Sequence, residues 1–232
     1  MPMQAKKPVP DPAADVAGVV LAGGLGRRMG DGDKCLRPLG GQPLIAHVIA
    51  RARPQVATLL LNVNDSASAA ELSRFGLPIA PDVVTGFAGP LAGILTAMRW
   101  AQASAPSCRW LASFAADTPF LPRDVVERLR AAVADDGAQD GAAIACAASG
   151  GRSHPVIALW PVALADDLET AVTVENVRKI DAWTARYAVR HVSFAIEAGD
   201  DPFFNVNTPQ DLTRAAERLA AADRSSRCRQ EP

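Results

Sequence analysis

Residues 19–34, VVLAGGLGRRMGDGDK, decide how the rest of the chain is read. Val19, Val20 and Leu21 form an apolar run of the kind that makes a buried strand, and the glycines after it let the backbone approach another group closely. That group is expected to be phosphate. Arg27, Arg28 and Lys34 supply cationic donors, and the N–H groups of such a turn can line an anion-binding concavity. Two familiar glycine loops do not fit. The dinucleotide fingerprint G-x-G-x-x-G, started at Gly24, meets Gly26 but finds Met29 where its third glycine belongs. The P-loop needs Gly-Lys followed by Ser or Thr to hold magnesium, whereas Lys34 stands between Asp33 and Cys35.

What fits is L-A-G-G-x-x-x-R-M-G-x-x-D-K, present as Leu21-Ala22-Gly23-Gly24, Arg28-Met29-Gly30 and Asp33-Lys34. This resembles the signature of nucleotidyltransferases with the nucleotide-diphospho-sugar-transferase-like fold, and in detail it is similar to the molybdenum cofactor guanylyltransferase family. The resemblance implies that Leu21, Ala22, Gly23 and Lys34 bind GTP, with Arg28 and Lys34 neutralising charge on its phosphates. An ordinary strand-turn with solvated arginines is the plainer reading of the same letters.

Composition sets the frame. At 232 residues, 49% of them hydrophobic, the chain can bury a sizeable core and is expected to make one α/β domain over residues 16–221, with disordered extensions at 1–15 and 222–232. Lys plus Arg number 24 against 25 for Asp plus Glu, so no global field draws nucleic acid or an anionic membrane, and anion binding must be local. Cys35, Cys108, Cys146 and Cys228 are widely spaced and form no zinc pattern with His47, His154 or His191. A reduced, cytoplasmic protein acting as a monomer is expected. The first fifteen residues lack the apolar centre of a secretory signal, and no run is long enough to span a bilayer.

In chain order, Pro43 is placed to start a helix whose apolar face is Leu44, Ile45, Val48 and Ile49, and Pro54 ends it. Thr58 to Leu61 reads as a second strand ending at Asn62, where an NAD-binding protein would carry an acid. The resemblance places a GTP contact at Asn62 and another at Asp82, which closes a short strand over residues 75–82. A carboxylate suits guanine, whose N1–H and exocyclic amine are adjacent donors. Turn-shaping roles account for both residues as well. Gly89-Pro90-Leu91-Ala92-Gly93 is similar to the family's G-P-L-A-G segment and starts a helix through Leu95, Met98 and Ala101. A buried strand over 110–116 then delivers Asp117 to its carboxyl end, where ligands of open α/β sheets collect. Asp117 is the expected holder of Mg²⁺, an ion that takes oxygen ligands beside substrate phosphates. The family motif carries Cys before this aspartate; here Ala116 stands instead.

The remainder covers the sheet and receives the second substrate. Strands are expected over 142–147 and 154–160 around a Gly150-Gly151 turn, with His154 and Trp160 structural. Arg178, Lys179 and Trp183 resemble the family's R-K-x-x-x-W element, whose cations suit a phosphorylated pterin, and a solvated face explains them equally. Phe203 to Pro209 is similar to the family's F-x-N-V-N-T-P. Thr208, Pro209 and Asp211 read as cap, first-turn proline and capping acid of the last helix, while Asn205 and Asn207 share a side-chain direction if the segment is extended. The resemblance associates that pair with molybdopterin.

The fold expected is a three-layer, Rossmann-like α/β sandwich around a mixed, mainly parallel sheet. The resemblance implies an Mg²⁺-dependent enzyme using GTP and Mo-molybdopterin, with transient contact to molybdenum-insertion proteins and apo-molybdoenzymes. The rival readings are a cytidylyltransferase, another nucleotidylyltransferase of this fold, or a non-catalytic carrier. Gly24 and the Asp33-Lys34 pair lean toward the guanine enzyme, since the cytidine relatives tend to read L-A-A-G and lack the aspartate.

Overall fold

Strand β1 (Val16–Leu21) is buried from Val16 to Val20, as an apolar run with a neighbour on each side demands. The computed structural model describes residues 13–22, 34–84, 86, 89–134 and 143–227. After β1 the described chain makes a hairpin of β2 (Pro38–Leu39) and β3 (Gln42–Pro43), turning on Gly40 and Gly41. Both glycines have positive φ, 57° and 82°, as a two-residue hairpin loop of the primed type requires. There follow α1 (Leu44–Ala52), β4 (Thr58–Asn62), α2 (Ser66–Leu72), β5 (Ile79–Ala80), α3 (Pro90–Ser104), β6 (Trp110–Ala115), α4 (Val125–Ala134), β7 (Ile144–Ser149) and β8 (Arg152–Pro161). The chain closes with α5 (Ala165–Thr173), α6 (Ile180–Thr184), β9 (Val189–Phe194) and α7 (Pro209–Arg227).

Among the described residues the main sheet has seven strands in the order β5-β4-β1-β6-β8-β7-β9. It is parallel from β5 to β6 and again between β7 and β9, and only β8 runs against its neighbours. The carboxyl ends of β5, β4, β1 and β6 therefore lie along one edge. Apolar side chains of α1, α2 and α4 cover one face of the sheet, and those of α3, α5 and α6 cover the other. This is the expected three-layer sandwich. Trp160 is 1% exposed, stacks on Trp183 and donates its indole N–H to Ser113 Oγ at 2.8 Å, so it belongs to the core as expected.

A third, smaller core of Leu39, Leu44, Phe120, Val206 and Ala215 lies beneath α7 and fastens that helix to the β2–β3 hairpin. The start of α7 is a reciprocal cap. Thr208 Oγ1 accepts the Asp211 N–H at 3.1 Å, and Asp211 Oδ2 accepts the Thr208 N–H at 2.9 Å. Hydrogen bonds from Thr208 and Asn207 hold the Asp211 carboxyl below its ordinary range against the opposing effect of burial. Thr208→Ala is expected to lower unfolding stability by about 1 kcal/mol, read from a denaturant midpoint.

The structure differs from the sequence expectations in several places. The strand expected over 75–82 is only Ile79–Ala80; Gly76 takes a left-handed φ of 63°, and Pro78 and Pro81 bring no N–H to a ladder. Pro122 reads in the sequence as the start of the helix through Val125, Val126 and Leu129, but α4 starts only at Val125, where the Gln55 side chain reaches across to accept the Val126 N–H at 3.0 Å. Asp15, assigned above to the N-terminal extension, is tied into the domain by ion pairs to Arg109 and Arg130. Helix α7 continues to Arg227, past the 221 boundary, since each further residue of a helix already begun adds a hydrogen bond for little entropy.

Candidate active site

Strand β6 ends at Ala115, and the chain turns at once. Ala116 donates its N–H to the Leu21 carbonyl at 3.2 Å, continuing the pairing with β1, so Asp117 leaves the sheet beside the end of β1. The Asp117 carbonyl accepts the N–H of Val206 at 2.9 Å, and this draws residues from the far end of the chain to the same point. Val206 is buried in the small core beneath α7. Its neighbours on either side, Asn205 and Asn207, turn together toward Lys34.

Lys34 opens a single 3-10 turn, Lys34–Leu36, anchored by the buried Cys35. Its ammonium donates to Asp117 Oδ2 at 2.5 Å, to Asn207 Oδ1 at 2.5 Å and to Asn205 Oδ1 at 3.3 Å. Three donors thus meet three oxygens, and the side-chain oxygens brought together come from segments that are remote in sequence. The second carboxylate oxygen, Asp117 Oδ1, is buried and accepts no hydrogen bond among the described residues. A buried carboxylate oxygen without a donor is suited to a cation or to an incoming donor group.

A second cluster occupies the same edge beyond β4 and β5. Asn62, 3% exposed, donates its amide to Asp82 Oδ1 at 2.9 Å and to the Ala80 carbonyl at 3.2 Å. Asn64 donates to Asp82 Oδ2 at 2.8 Å and accepts the Asp82 N–H at 2.7 Å. The amino end of α3 packs into this corner at Gly93. A Cβ there would lie 2.3 Å from Asn62 Oδ1 and 2.7 Å from Leu21 Cδ2, so only glycine lets the helix approach the ends of β1 and β4. Thr96, one turn on, accepts the Val83 N–H at 2.9 Å and fixes the chain just after Asp82.

The segment bearing the two asparagines is fastened at its start as well. Ser149 donates to Asp201 Oδ1 at 2.8 Å and meets His154 Nε2 at 2.7 Å, while the His154 ring packs on Phe203 at 4.7 Å between centroids. Burial lowers the His154 pKa below its ordinary value, outweighing the nearby Asp201 carboxylate, which acts in the opposite direction. His154 is thus a structural link between β8 and the segment bearing the asparagines, as the sequence suggested.

Residues 18–192 match the MobA-like NTP transferase domain family, well over half of the chain. The chain is 50% identical over 208 residues to the molybdenum cofactor guanylyltransferase of Bradyrhizobium sp. (strain ORS 278), covering 90% of this chain and 94% of that one. The chain belongs to the molybdenum cofactor guanylyltransferase family. The member of that family from Rhodopseudomonas palustris (strain BisB5) is likewise 50% identical, over 88% of this chain and 94% of its own. Among solved structures, molybdopterin-guanine dinucleotide biosynthesis protein A from Archaeoglobus fulgidus superposes with a TM-score of 0.68 at 28% identity, covering 88% of this chain and 99% of that one. The guanylyltransferase family resemblance drawn from the sequence is therefore correct, and the enzyme class with it: a nucleotidyltransferase.

Of the site residues expected for a guanylyltransferase, Gly23 and Arg28 lie outside the described residues, as do Arg27, Gly24 and Asp33. Leu21 ends β1 between the two clusters and Ala22 follows it, with the Ala22 N–H bonded to the Asn62 carbonyl at 3.0 Å. Lys34, Asp117, Asn205 and Asn207 meet in the first cluster, and Asn62 and Asp82 in the second. Arg178 is exposed on the loop between α5 and α6. Trp183, grouped with it by the sequence pattern, is fully buried in α6 and donates to Asp167 Oδ2 at 2.7 Å. Asn64 was not singled out by the sequence; the repeat Asn62-Val63-Asn64 at a strand end was the available signal.

Proposed function

We propose that this chain transfers GMP from GTP to the terminal phosphate of molybdopterin carrying molybdenum, releasing pyrophosphate and forming the guanine dinucleotide cofactor. The observation that carries this reading is the meeting of Lys34, Asp117, Asn205 and Asn207 beside the end of β1, with one Asp117 oxygen buried and receiving no donor among the described residues. A pterin phosphate oxygen, already deprotonated at neutral pH, attacks the α-phosphorus of GTP. The bond between that phosphorus and the oxygen bridging to the β-phosphate breaks, and pyrophosphate leaves with the electron pair. No covalent enzyme nucleotide and no general base are required, so the residues act by holding the reactants in line and offsetting charge.

Lys34, with Arg28 from the glycine loop, is assigned to the charge that grows on the departing pyrophosphate. Asn205 and Asn207 hold the Lys34 ammonium in place and offer amide N–H donors to the pterin phosphate, with Arg178 a further cation for that substrate. Asp117 is assigned the divalent ion. A single carboxylate with an oxygen open to a cation suits Mg²⁺, an ion usually held by one or two carboxylates together with substrate phosphates and water. When bound, Mg²⁺ supplies positive charge to the triphosphate oxygens. Asp82 is assigned the guanine, its two oxygens facing the adjacent N1–H and amine donors, with Asn62 behind it. Among the described residues no helix is long and apolar enough to cross a membrane. On this reading the enzyme works as a cytoplasmic monomer and passes its product to molybdenum-insertion proteins or apo-molybdoenzymes.

The test is pyrophosphate release with Mo-molybdopterin as acceptor and GTP, CTP or ATP as donor. GTP is expected to exceed the other two by at least about a hundredfold in kcat/KM, as a site built to pair polar base edges discriminates. A preference for CTP would make the chain a cytidylyltransferase. Tight GTP binding without pyrophosphate release would make it a carrier.

A further inference from the structure

We infer that Asn64 is a specificity-determining positioning residue, which sets the Asp82 carboxylate so that both of its oxygens can take donors from one guanine edge. The inference rests on the reading of Asp82 as the base acceptor and goes beyond it by naming what aims that carboxylate. Asp82 stands on a loop after the two-residue strand β5, where little backbone pairing fixes it. Its orientation comes from side chains instead. Asn62 donates to Oδ1 at 2.9 Å, Asn64 donates to Oδ2 at 2.8 Å, and the side-chain Oδ1 of Asn64 accepts the Asp82 N–H at 2.7 Å.

Each carboxylate oxygen has two lone-pair sites, so one amide on each leaves one site on each. Two donors side by side, N1–H and the exocyclic amine of guanine, match the two that remain. Adenine presents a bare N1, and cytosine lacks the adjacent pair. The two asparagines are not equivalent. Asn62 is buried and also serves the Ala80 carbonyl, whereas Asn64 is exposed and its side-chain hydrogen bonds both go to Asp82. Asn64 is thus the member of the pair that can be altered without disturbing the core.

The experiment compares GTP with inosine triphosphate, which keeps N1–H and lacks the amine, as donors for the wild type, N64A, N64D, D82A and N64A/D82A. Wild type is expected to prefer GTP by about ten- to a hundredfold in kcat/KM, the worth of one hydrogen bond to a charged acceptor. In N64A the KM for GTP rises about tenfold and the preference collapses toward that of D82A, while kcat moves by less than about twofold. N64D, isosteric but placing a second carboxylate beside the first, does the same, and adding N64A to D82A changes nothing further. Should N64A melt early, N64D carries the test.

If N64A and N64D keep the wild-type preference while D82A loses it, Asn64 is not a positioning residue, and the reading of Asp82 stands. An equal loss for both nucleotides in N64A also overturns the inference, because the effect is then not on the amine contact. A D82A enzyme that still prefers GTP removes the Asp82 reading and this inference with it.

Discussion

Asp117→Ala is expected to leave a folded protein whose pyrophosphate release falls by about a thousandfold or more, with a melting curve close to wild type. The fold survives because the structural duty at this position belongs to the backbone: the Asp117 carbonyl accepts the Val206 N–H at 2.9 Å, and alanine keeps it. The activity does not survive, because the side chain provides the only carboxylate found against Lys34 among the described residues, and its free oxygen is the place assigned to the divalent ion. Asp117→Asn sharpens the test. An amide keeps the shape and can still accept from Lys34, so a role in orienting the lysine predicts a mild defect, whereas the metal role predicts a severe one with half-maximal activity moved to higher Mg²⁺. Unaltered Mg²⁺ dependence in the asparagine variant would remove the metal assignment.

Lys34→Ala is expected to lower kcat/KM by roughly 30- to 1,000-fold, about 2–4 kcal/mol, the range measured when one preorganised electrostatic donor is lost from a transition state. The ammonium makes three contacts, to Asp117 Oδ2, Asn205 Oδ1 and Asn207 Oδ1, so its removal unfastens several residues at once. That predicts non-additivity. Asn207→Ala in the Lys34→Ala background should lose far less than Asn207→Ala alone, since part of the asparagine's role is to hold the lysine. Lys34→Arg tests geometry against charge: a planar fork does not reproduce three diverging donors around one nitrogen, and a large defect is expected despite the retained charge. A near-wild-type rate in Lys34→Ala would exclude this residue from catalysis.

Much of the scaffold was legible because its signals are local. The apolar runs of β1, β4 and β6, the proline opening α3, the paired glycines between β7 and β8, and the Thr208-Pro209-Asp211 cap each report on a few adjacent residues. What escaped was written elsewhere. The edge strand β9 is mostly half-buried or exposed, so its alternation is weak. Helix α5 begins without a capping side chain, and the start of α4 is set by Gln55, a residue roughly seventy positions away. Helix α2 had a readable signal in Asp65, whose carboxylate caps the Ser68 N–H at 2.7 Å.

The candidate site divides the same way. Strand ends pointed to Asn62, Asp82 and Asp117 individually, and family likeness supplied roles for them. The union of Lys34 with Asn205 and Asn207 depends on contacts spanning more than 170 residues and on one backbone hydrogen bond from Val206, for which no short pattern exists. Asn64 carries no distinguishing signal in the sequence, because a polar residue at a turn has an ordinary explanation, and its two bonds to Asp82 are what set it apart.

The placement of Val206 has a consequence for how this enzyme can vary. With Val206 locked inward and Asn205 and Asn207 outward, the stretch works like the teeth of a key. Deleting or inserting one residue between Phe203 and Thr208 is expected to turn a valine toward Lys34 and drive an amide into the small core. Substitutions on the solvent face of α7 are therefore expected to be tolerated, whereas a change in the number of residues between Asp201 and Pro209 is expected to undo the cluster around Lys34.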